Sequence, residues 1–152
     1  ASGVGVIYVG APTEIEMVEK KHRVEDALEA VRSAREGGIH AGGGVALVRA
    51  SQKVKAPEEL SENQKVGFNI ILKAIKEPVR QMADNAGVSA DIILDKVENE
   101  EGNNGYDFTS DKIVDMFDEG IIDPVKVTCS ALKNAVSVVS TLIITDYAVI
   151  EK

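Results

Sequence analysis

The chain has 152 residues, of which 44% are hydrophobic and 4% aromatic, a composition typical of a globular protein with one ordinary core. Its formal net charge of -8 argues against a nucleic-acid partner, because a phosphate backbone is bound by clustered Lys and Arg. Cys129 is the single cysteine, so neither an intramolecular disulfide nor a cysteine zinc site can form, which fits a reducing compartment. The longest apolar stretch, residues 135–144, is too short to span a bilayer, so no membrane partner is predicted.

The first two predicted elements are a strand and a long helix. Residues 4–9 are rich in β-prone side chains and precede a Gly-Ala-Pro turn, which predicts a strand. Thr13 and Glu16 match a capping box, so a helix is predicted to begin at Thr13. Its apolar residues form only a narrow stripe, and Gly37 and Gly38 predict its end. So narrow a stripe indicates a helix that packs lightly and can move.

Two helices are predicted in the middle of the chain. Three glycines at residues 42–44 open a short apolar helix over residues 45–54. A second capping box, at residues 61–64, begins a helix that continues to Gly87. Apolar residues surround the axis of this second helix, which predicts a buried core helix, and Pro78 predicts a kink within it.

The last third of the chain is predicted to contain two helices and a final strand. Residues 91–97 fit a short amphipathic helix, and the polar residues 98–105 fit a loop or hairpin. Asp123 followed by Pro124 is typical of a helix amino terminus, with the Asp as N-cap. Residues 146–152 fit a strand. Because neither end strand has a hairpin partner nearby, we expect strands from elsewhere to complete the sheets.

Five consecutive segments together resemble GroEL-type group I chaperonins, namely VEKKHRVEDALEA, EGGIHAGGGVAL, EPVRQMADNAG, NNGYDF and EGIIDPVKV. Each segment alone is a weak signal, but their order and spacing are specific, and the resemblance covers the whole chain. It implies a mainly α fold. Residues 1–36 would be an intermediate-domain strand and long helix, with the upper hinge near Gly3, and residues 37–152 the carboxy-terminal half of the helical equatorial ATPase domain.

The resemblance also implies roles in catalysis and ribose binding. Asp26 matches the aspartate that orients or activates the water attacking the γ-phosphate, although a carboxylate on a charged helix is ordinarily solvated surface. Gly43 matches the glycine that lies against the ribose, whereas the pattern alone fits a tight turn equally well.

The remaining implied site residues lie in the last third of the chain. Asp123 matches a carboxylate that accepts hydrogen bonds from the ribose hydroxyls, in addition to its predicted capping role, which would contribute about 1 kcal/mol. Asp107, Phe108 and Thr109 match positions that line the adenine, and Ile121 matches one that packs near the base. Phe108 replaces the small residue common in the family, so its ring could either stack on adenine or crowd it.

No metal ligand is predicted in this chain. His22 and His40 lack metal-ligand spacing with each other and with Cys129. The sequence also has no match to the family's phosphate-binding loop or to its magnesium-holding aspartate. We therefore expect ATP or ADP with Mg²⁺ to act in the full-length parent, and the chain alone to lack ATPase activity.

The leading prediction is part of an ATP-dependent chaperonin that assists protein folding. Its expected partners are like subunits in a ring, a co-chaperonin lid and unfolded polypeptides, in the bacterial cytoplasm or an organelle matrix. The alternative is an inert helical assembly module that binds no nucleotide. A free-standing nucleotide-binding domain is the weakest hypothesis, because no phosphate-binding loop is present.

Overall fold

The computed structural model describes residues 3–150, and within them the protein is mainly α-helical. This confirms the predicted fold class. The elements in chain order are α1 (Glu14–Gly37), β1 (Ile39–Ala41), α2 (Val45–Lys53), α3 (Glu62–Ala74), α4 (Glu77–Asn85), α5 (Ala90–Asn99), β2 (Asn104–Asp107), β3 (Lys112–Asp115), β4 (Ile122–Pro124) and α6 (Val125–Ile143). The strands form two antiparallel pairs, β1 with β4 and β2 with β3.

Helix α1 begins and ends where its sequence signals indicate. The Thr13 hydroxyl accepts a hydrogen bond from the Glu16 amide at 3.3 Å, and the Glu16 carboxylate accepts one from the Thr13 amide at 3.2 Å. The helix ends at Gly37, and Gly38 follows with φ 79°, a conformation that favours glycine. No residue of α1 is buried, which confirms a helix that packs lightly.

The two predicted end strands are wrong for the residues that the structure describes. Residues 3–12 and 145–150 have no regular secondary structure, and Val4 and Tyr147 are 92% and 91% exposed. The predicted residues 151–152 lie outside the described range. A strand is held by hydrogen bonds to a neighbouring strand, and in residues 3–150 neither segment has one. High β propensity alone therefore leaves these segments irregular.

The predicted buried, kinked helix is instead two helices. Helix α3 ends at Ala74 and α4 begins at Glu77, with Pro78 in its first turn. Proline lacks the amide hydrogen that an interior position would donate, but the first turn of a helix needs no such donor. Helix α3 also buries no residue, and Val66 and Ile70 are more than half exposed.

The core lies where α2, α4 and α5 meet the β2–β3 hairpin. Its buried side chains are Ala41, Val45, Val48, Val79, Ala83, Ile93, Val97, Tyr106 and Met116. The Arg49 guanidinium holds the hairpin to α2, since it donates to the carbonyls of Val97, Gly102 and Asn104 at 2.6, 3.2 and 2.8 Å. Burial lowers the pKa of Arg49. The expected helix over residues 91–97 is confirmed as part of α5.

A large apolar surface stays exposed outside this core. The accessible surface is 11,670 Å². A compact monomer of this mass would expose only about 7,500 Å². Part of the excess lies on α6, where Val138, Leu142 and Ile143 are 60 to 74% exposed. In the part of the chain that the structure describes, no helix combines the length and apolarity needed to cross a bilayer.

Candidate functional site

The pairing of β1 with β4 brings together two predicted nucleotide-binding residues that are far apart in sequence. In this pair His40 lies opposite Asp123, and the Gly42 amide extends the ladder by donating to the Ile121 carbonyl at 2.8 Å. Gly43 and Asp123 consequently line the same groove, which has a volume of about 660 Å³. The groove has mostly apolar walls, formed by side chains of α2, α3, α4 and α6.

The glycine turn between β1 and α2 requires glycine for two physical reasons. Gly43 and Gly44 have φ values of 60° and 75°, in the left-handed region that side chains disfavour. A Cβ atom at Gly44 would also lie 2.7 Å from Cγ2 of Val79, and one at Gly42 would lie 2.9 Å from the Ile121 carbonyl oxygen. The tight-turn interpretation is therefore supported, and ribose binding at Gly43 stays a prediction.

Asp123 does not cap a helix, which corrects the prediction from the Asp-Pro pair. Pro124 occupies the N-cap position of α6, without a side-chain capping bond, and Asp123 belongs to β4. The ladder with β1 fixes the backbone of Asp123 as extended strand, so the helix begins after Pro124. Asp123 is half-buried and lines the groove.

Asp107, the last residue of β2, and Thr109, in the turn that follows, lie at the turn end of the β2–β3 hairpin and do not line the groove. The Asp107 carboxylate accepts hydrogen bonds from the backbone amides of Thr109 and Ser110 at 2.9 and 3.2 Å. Hydrogen bonds from the side chain of Ser110 and the backbone of Thr109 lower the pKa of Asp107. The Asp107 side chain therefore stabilises its own turn, and its predicted contact with adenine stays untested.

Phe108 and Ile121 pack against the hydrophobic core. The Phe108 ring meets the Tyr106 ring edge to face, with 5.1 Å between centroids. The Ile121 carbonyl accepts from the Gly42 amide at 2.8 Å, which places Ile121 beside the glycine turn, and the Ile121 amide donates to the Met116 carbonyl at 2.8 Å. Met116 lies beside the first residue of β2, and the hairpin turn follows the last. The length of β2 therefore separates them by about 10 Å, at 3.3 Å per residue. The structure thus groups Gly43, Ile121 and Asp123 but leaves the hairpin turn apart.

Asp26 is exposed on α1 and does not line the groove. It precedes Gly37 by eleven residues, which is about 17 Å along a helix axis. An ion pair between Glu36 and Lys126 joins the carboxyl end of α1 to α6, and a Cβ atom at Gly37 would lie only 3.2 Å from Cβ of Lys126. The hydrogen bond and the charge of Lys126 lower the pKa of Glu36.

His40 and Thr128 belong to the groove but were missed as site residues. Nε2 of His40 lies 2.8 Å from the Thr128 hydroxyl, and Nδ1 lies 2.8 Å from the Ala41 carbonyl oxygen. In the sequence, the only indication of a role in the site was that His40 lies just before the three glycines and Thr128 just after the Asp123–Pro124 pair. The sequence had suggested two ordinary polar histidines.

The family of the chain follows from its sequence as a whole. Residues 1–152 match the model of the TCP-1/cpn60 chaperonin family. The chain belongs to this chaperonin family. The match confirms the chaperonin resemblance and identifies a chaperone that assists protein folding, and membership indicates assembly with other subunits. The narrower assignment to group I and the division at residue 36 stay predictions.

The residues that line the groove determine which part of an adenine nucleotide they could bind. A carboxylate such as Asp123 can accept hydrogen bonds from both hydroxyls of a ribose. Among the described residues, no Lys or Arg lines the groove, so these residues provide no Lys or Arg cation for the phosphates. In residues 3–150 no cluster of three or more His, Cys, Asp or Glu side chains is placed to bind a metal ion. Of the parts of a nucleotide, the described groove residues therefore offer a partner to the ribose only, and nucleotide binding stays a prediction.

Proposed function

We propose that this chain is part of an ATP-dependent, GroEL-type chaperonin and that Gly43 and Asp123 hold the ribose of its nucleotide. The observation that carries the proposal is the β1–β4 pairing, which places both residues on one groove. Asp123 would accept hydrogen bonds from the ribose hydroxyls. The glycine turn lets the ribose approach the backbone closely, because no side chain projects there.

Asp26 would accept a hydrogen bond from the water that attacks the γ-phosphate, and so orient that water in line. Helix α1 buries no residue, and the Glu36–Lys126 ion pair near Gly38 links its carboxyl end to α6. These features support a movement of Asp26 toward a bound nucleotide. When bound, Mg²⁺ neutralises charge on the phosphates. Its ligands and the phosphate contacts would come from outside these 152 residues.

The hairpin turn is proposed to line the adenine with Asp107, Phe108 and Thr109, while Ile121 packs near the base. Phe108 packs its ring against Tyr106 and the core, which favours an edge contact over full stacking on the base. We further propose assembly into a ring of like subunits with a co-chaperonin lid, acting on unfolded polypeptides in the bacterial cytoplasm or an organelle matrix. The isolated chain is expected to show no magnesium-dependent ATPase activity.

The test uses the assembled chaperonin that contains this chain. Asp26→Ala is expected to leave ATP affinity nearly unchanged and to slow hydrolysis by about 10²- to 10⁴-fold, because positioning of the water acts on the transition state. Glu19→Ala, which removes another exposed carboxylate of α1, is the matched control and should hydrolyse ATP normally. Equal losses of binding and turnover in Asp26→Ala would assign Asp26 a structural role.

The second candidate function is an assembly module that binds no nucleotide. The apolar walls of the groove and its lack of cations favour this alternative. Calorimetric titration of the assembled protein with ATP separates the two functions. Saturable binding that Asp123→Asn weakens supports the nucleotide site, whereas intact assembly without binding supports the module.

A further inference from the structure

The His40 side chain connects the two segments that carry the proposed ribose contacts. His40 lies on β1, three residues before Gly43, and Thr128 lies in the first turn of α6, five residues after Asp123. The 2.8 Å contact between Nε2 of His40 and the Thr128 hydroxyl therefore joins the strand that leads to the glycine turn to the helix that follows Asp123.

The ring is fixed at both nitrogens. A carbonyl oxygen can only accept, so Nδ1 carries the proton that is donated to Ala41, and in the neutral ring Nε2 accepts the proton of the Thr128 hydroxyl. With both nitrogens already bonded to the protein, the ring has no free polar atom for a nucleotide. This arrangement suits a residue that positions others over one that contacts the ligand.

His40 also lies on the correct side of the strand pair to act on Asp123. The two residues are direct partners in the antiparallel register, so their side chains project from the same face, with Cβ atoms about 5 Å apart. Both line the groove. Outside the three-residue ladder, the His40–Thr128 contact is a side-chain link between β1 and the start of α6, and it limits how far Asp123 can shift relative to Gly43.

We propose that His40, held by Thr128, is a positioning residue that sets the distance between the Asp123 carboxylate and the Gly43 turn, and so tunes recognition of the ribose hydroxyls. This inference rests on the proposed function, since it presupposes a ribose in the groove. Through Asp123, the His40–Thr128 contact would affect the binding of the 2′ and 3′ hydroxyls of the ribose and not that of the phosphates. Its loss should therefore weaken ATP binding but leave binding of 2′,3′-dideoxy-ATP unchanged.

The experiment measures the dissociation constants of ATP and of 2′,3′-dideoxy-ATP in the assembled chaperonin. His40→Asn keeps an amide near the position of Nδ1 but cannot reach Thr128, and Thr128→Val removes the hydroxyl at nearly constant shape. Each should raise the Kd for ATP by about 3- to 10-fold, as expected for one hydrogen bond. The double variant should bind no more weakly than the weaker single variant, because both substitutions break the same contact.

Two further variants keep the test specific. Thr128→Ser retains the hydroxyl and should restore ATP affinity relative to Thr128→Val. Thr141→Val, which removes a hydroxyl that donates within α6 at 3.2 Å, is the matched control and should change neither Kd. Circular dichroism of every variant verifies that it is folded, and Thr128→Val still reports on the contact if His40→Asn does not fold.

The possible outcomes separate this inference from the function on which it rests. Equal weakening of both nucleotides in the His40 and Thr128 variants would overturn the positioning role, since that is the result of a general structural defect. Unchanged ATP binding in the His40 and Thr128 variants, together with weaker ATP binding in Asp123→Asn, would also overturn the positioning role. That result would still support a ribose site at Asp123. Failure of the wild type to distinguish the two nucleotides would overturn both.

Discussion

Gly44 is the glycine where backbone conformation and packing both oppose a side chain, and we expect Gly44→Ala to be strongly destabilising. Its φ of 75° costs a residue with a Cβ atom about 1–2 kcal/mol. The new Cβ would lie 2.7 Å from Cγ2 of Val79 and 3.3 Å from the Val79 amide nitrogen. Carbon atoms pack at about 3.5–4.0 Å, so Val79 would have to move by about 1 Å.

Val79 cannot make this movement easily, because it is 1% exposed and its amide nitrogen belongs to α4. Overpacking of this kind costs about 1–3 kcal/mol. With the backbone strain, Gly44→Ala should lower the free energy of unfolding by about 2–5 kcal/mol. Urea denaturation followed by circular dichroism measures this change, and the midpoint should fall by roughly 1–2.5 M for a urea dependence of about 2 kcal/mol per M.

Two other glycines separate the contributions. Gly102 has φ 63° but open space around its Cβ position, so Gly102→Ala should cost only the backbone strain, about 1–2 kcal/mol. Gly67 lies in α3 with open space and an ordinary φ, so Gly67→Ala should stabilise the helix by about 0.5–1 kcal/mol. Val79→Ala should recover part of the Gly44→Ala loss. Equal losses at Gly44 and Gly102 would refute close packing of the turn on α4.

Three further predictions concern other contacts. Arg49→Met should lower the free energy of unfolding by about 2–3 kcal/mol, since three carbonyls lose a charged donor; urea denaturation tests it, and a loss below about 0.5 kcal/mol would contradict it. Because Lys126 lowers the pKa of Glu36, their ion pair stabilises the fold above the ordinary pKa of 4.5, and this stabilisation is lost as the pH falls through the lower folded pKa. Glu36→Gln should therefore flatten the dependence of the free energy of unfolding on acid pH. An unchanged pH dependence in this variant would refute the contribution of the pair. The exposed apolar surface predicts that the isolated chain self-associates; sedimentation over a concentration series tests this, and a monomer independent of dilution would contradict it.

Short-range signals predicted the fold where the determining contacts lie within one helical turn. The capping boxes at Thr13 and Ser61 appear in the structure with both hydrogen bonds, because each box involves only residues three apart. Gly38 ends α1 for an equally local reason, its positive φ. Such features depend little on the rest of the molecule, so sequence is sufficient for them.

Elements that depend on distant partners could not be predicted in the same way. Strand β1 has only three residues, which is too few to show the alternating pattern of a strand, and its partner β4 lies more than 80 positions away. The same pairing turned Asp123 from an expected N-cap into a strand residue. The apolar residues of α3 suggested burial, but hydrophobicity does not specify which surface covers a helix, and residues 3–150 leave α3 largely uncovered.

The candidate site shows the same division. Its residues were indicated by resemblance to chaperonins, and the structure then grouped Gly43, Ile121 and Asp123 through backbone pairing that no sequence pattern showed. His40 was missed because its relevance depends on Thr128, a contact across 88 positions of sequence. Residue types therefore indicate what chemistry is possible, while the tertiary pairing decides which of those residues can act together.

The loose packing of α1 supports the proposed role of Asp26, that of a carboxylate acting after a nucleotide has bound. Because α1 buries no residue, the position of Asp26 depends mainly on contacts near Gly38, about 17 Å away along the helix. A rotation of roughly 20° about that end would move Asp26 by about 6 Å, which is within the range of hinge motions. Little buried surface opposes such a rotation. A group placed in this way contributes little to the affinity for ATP in the ground state, so its effect should appear in the rate of hydrolysis.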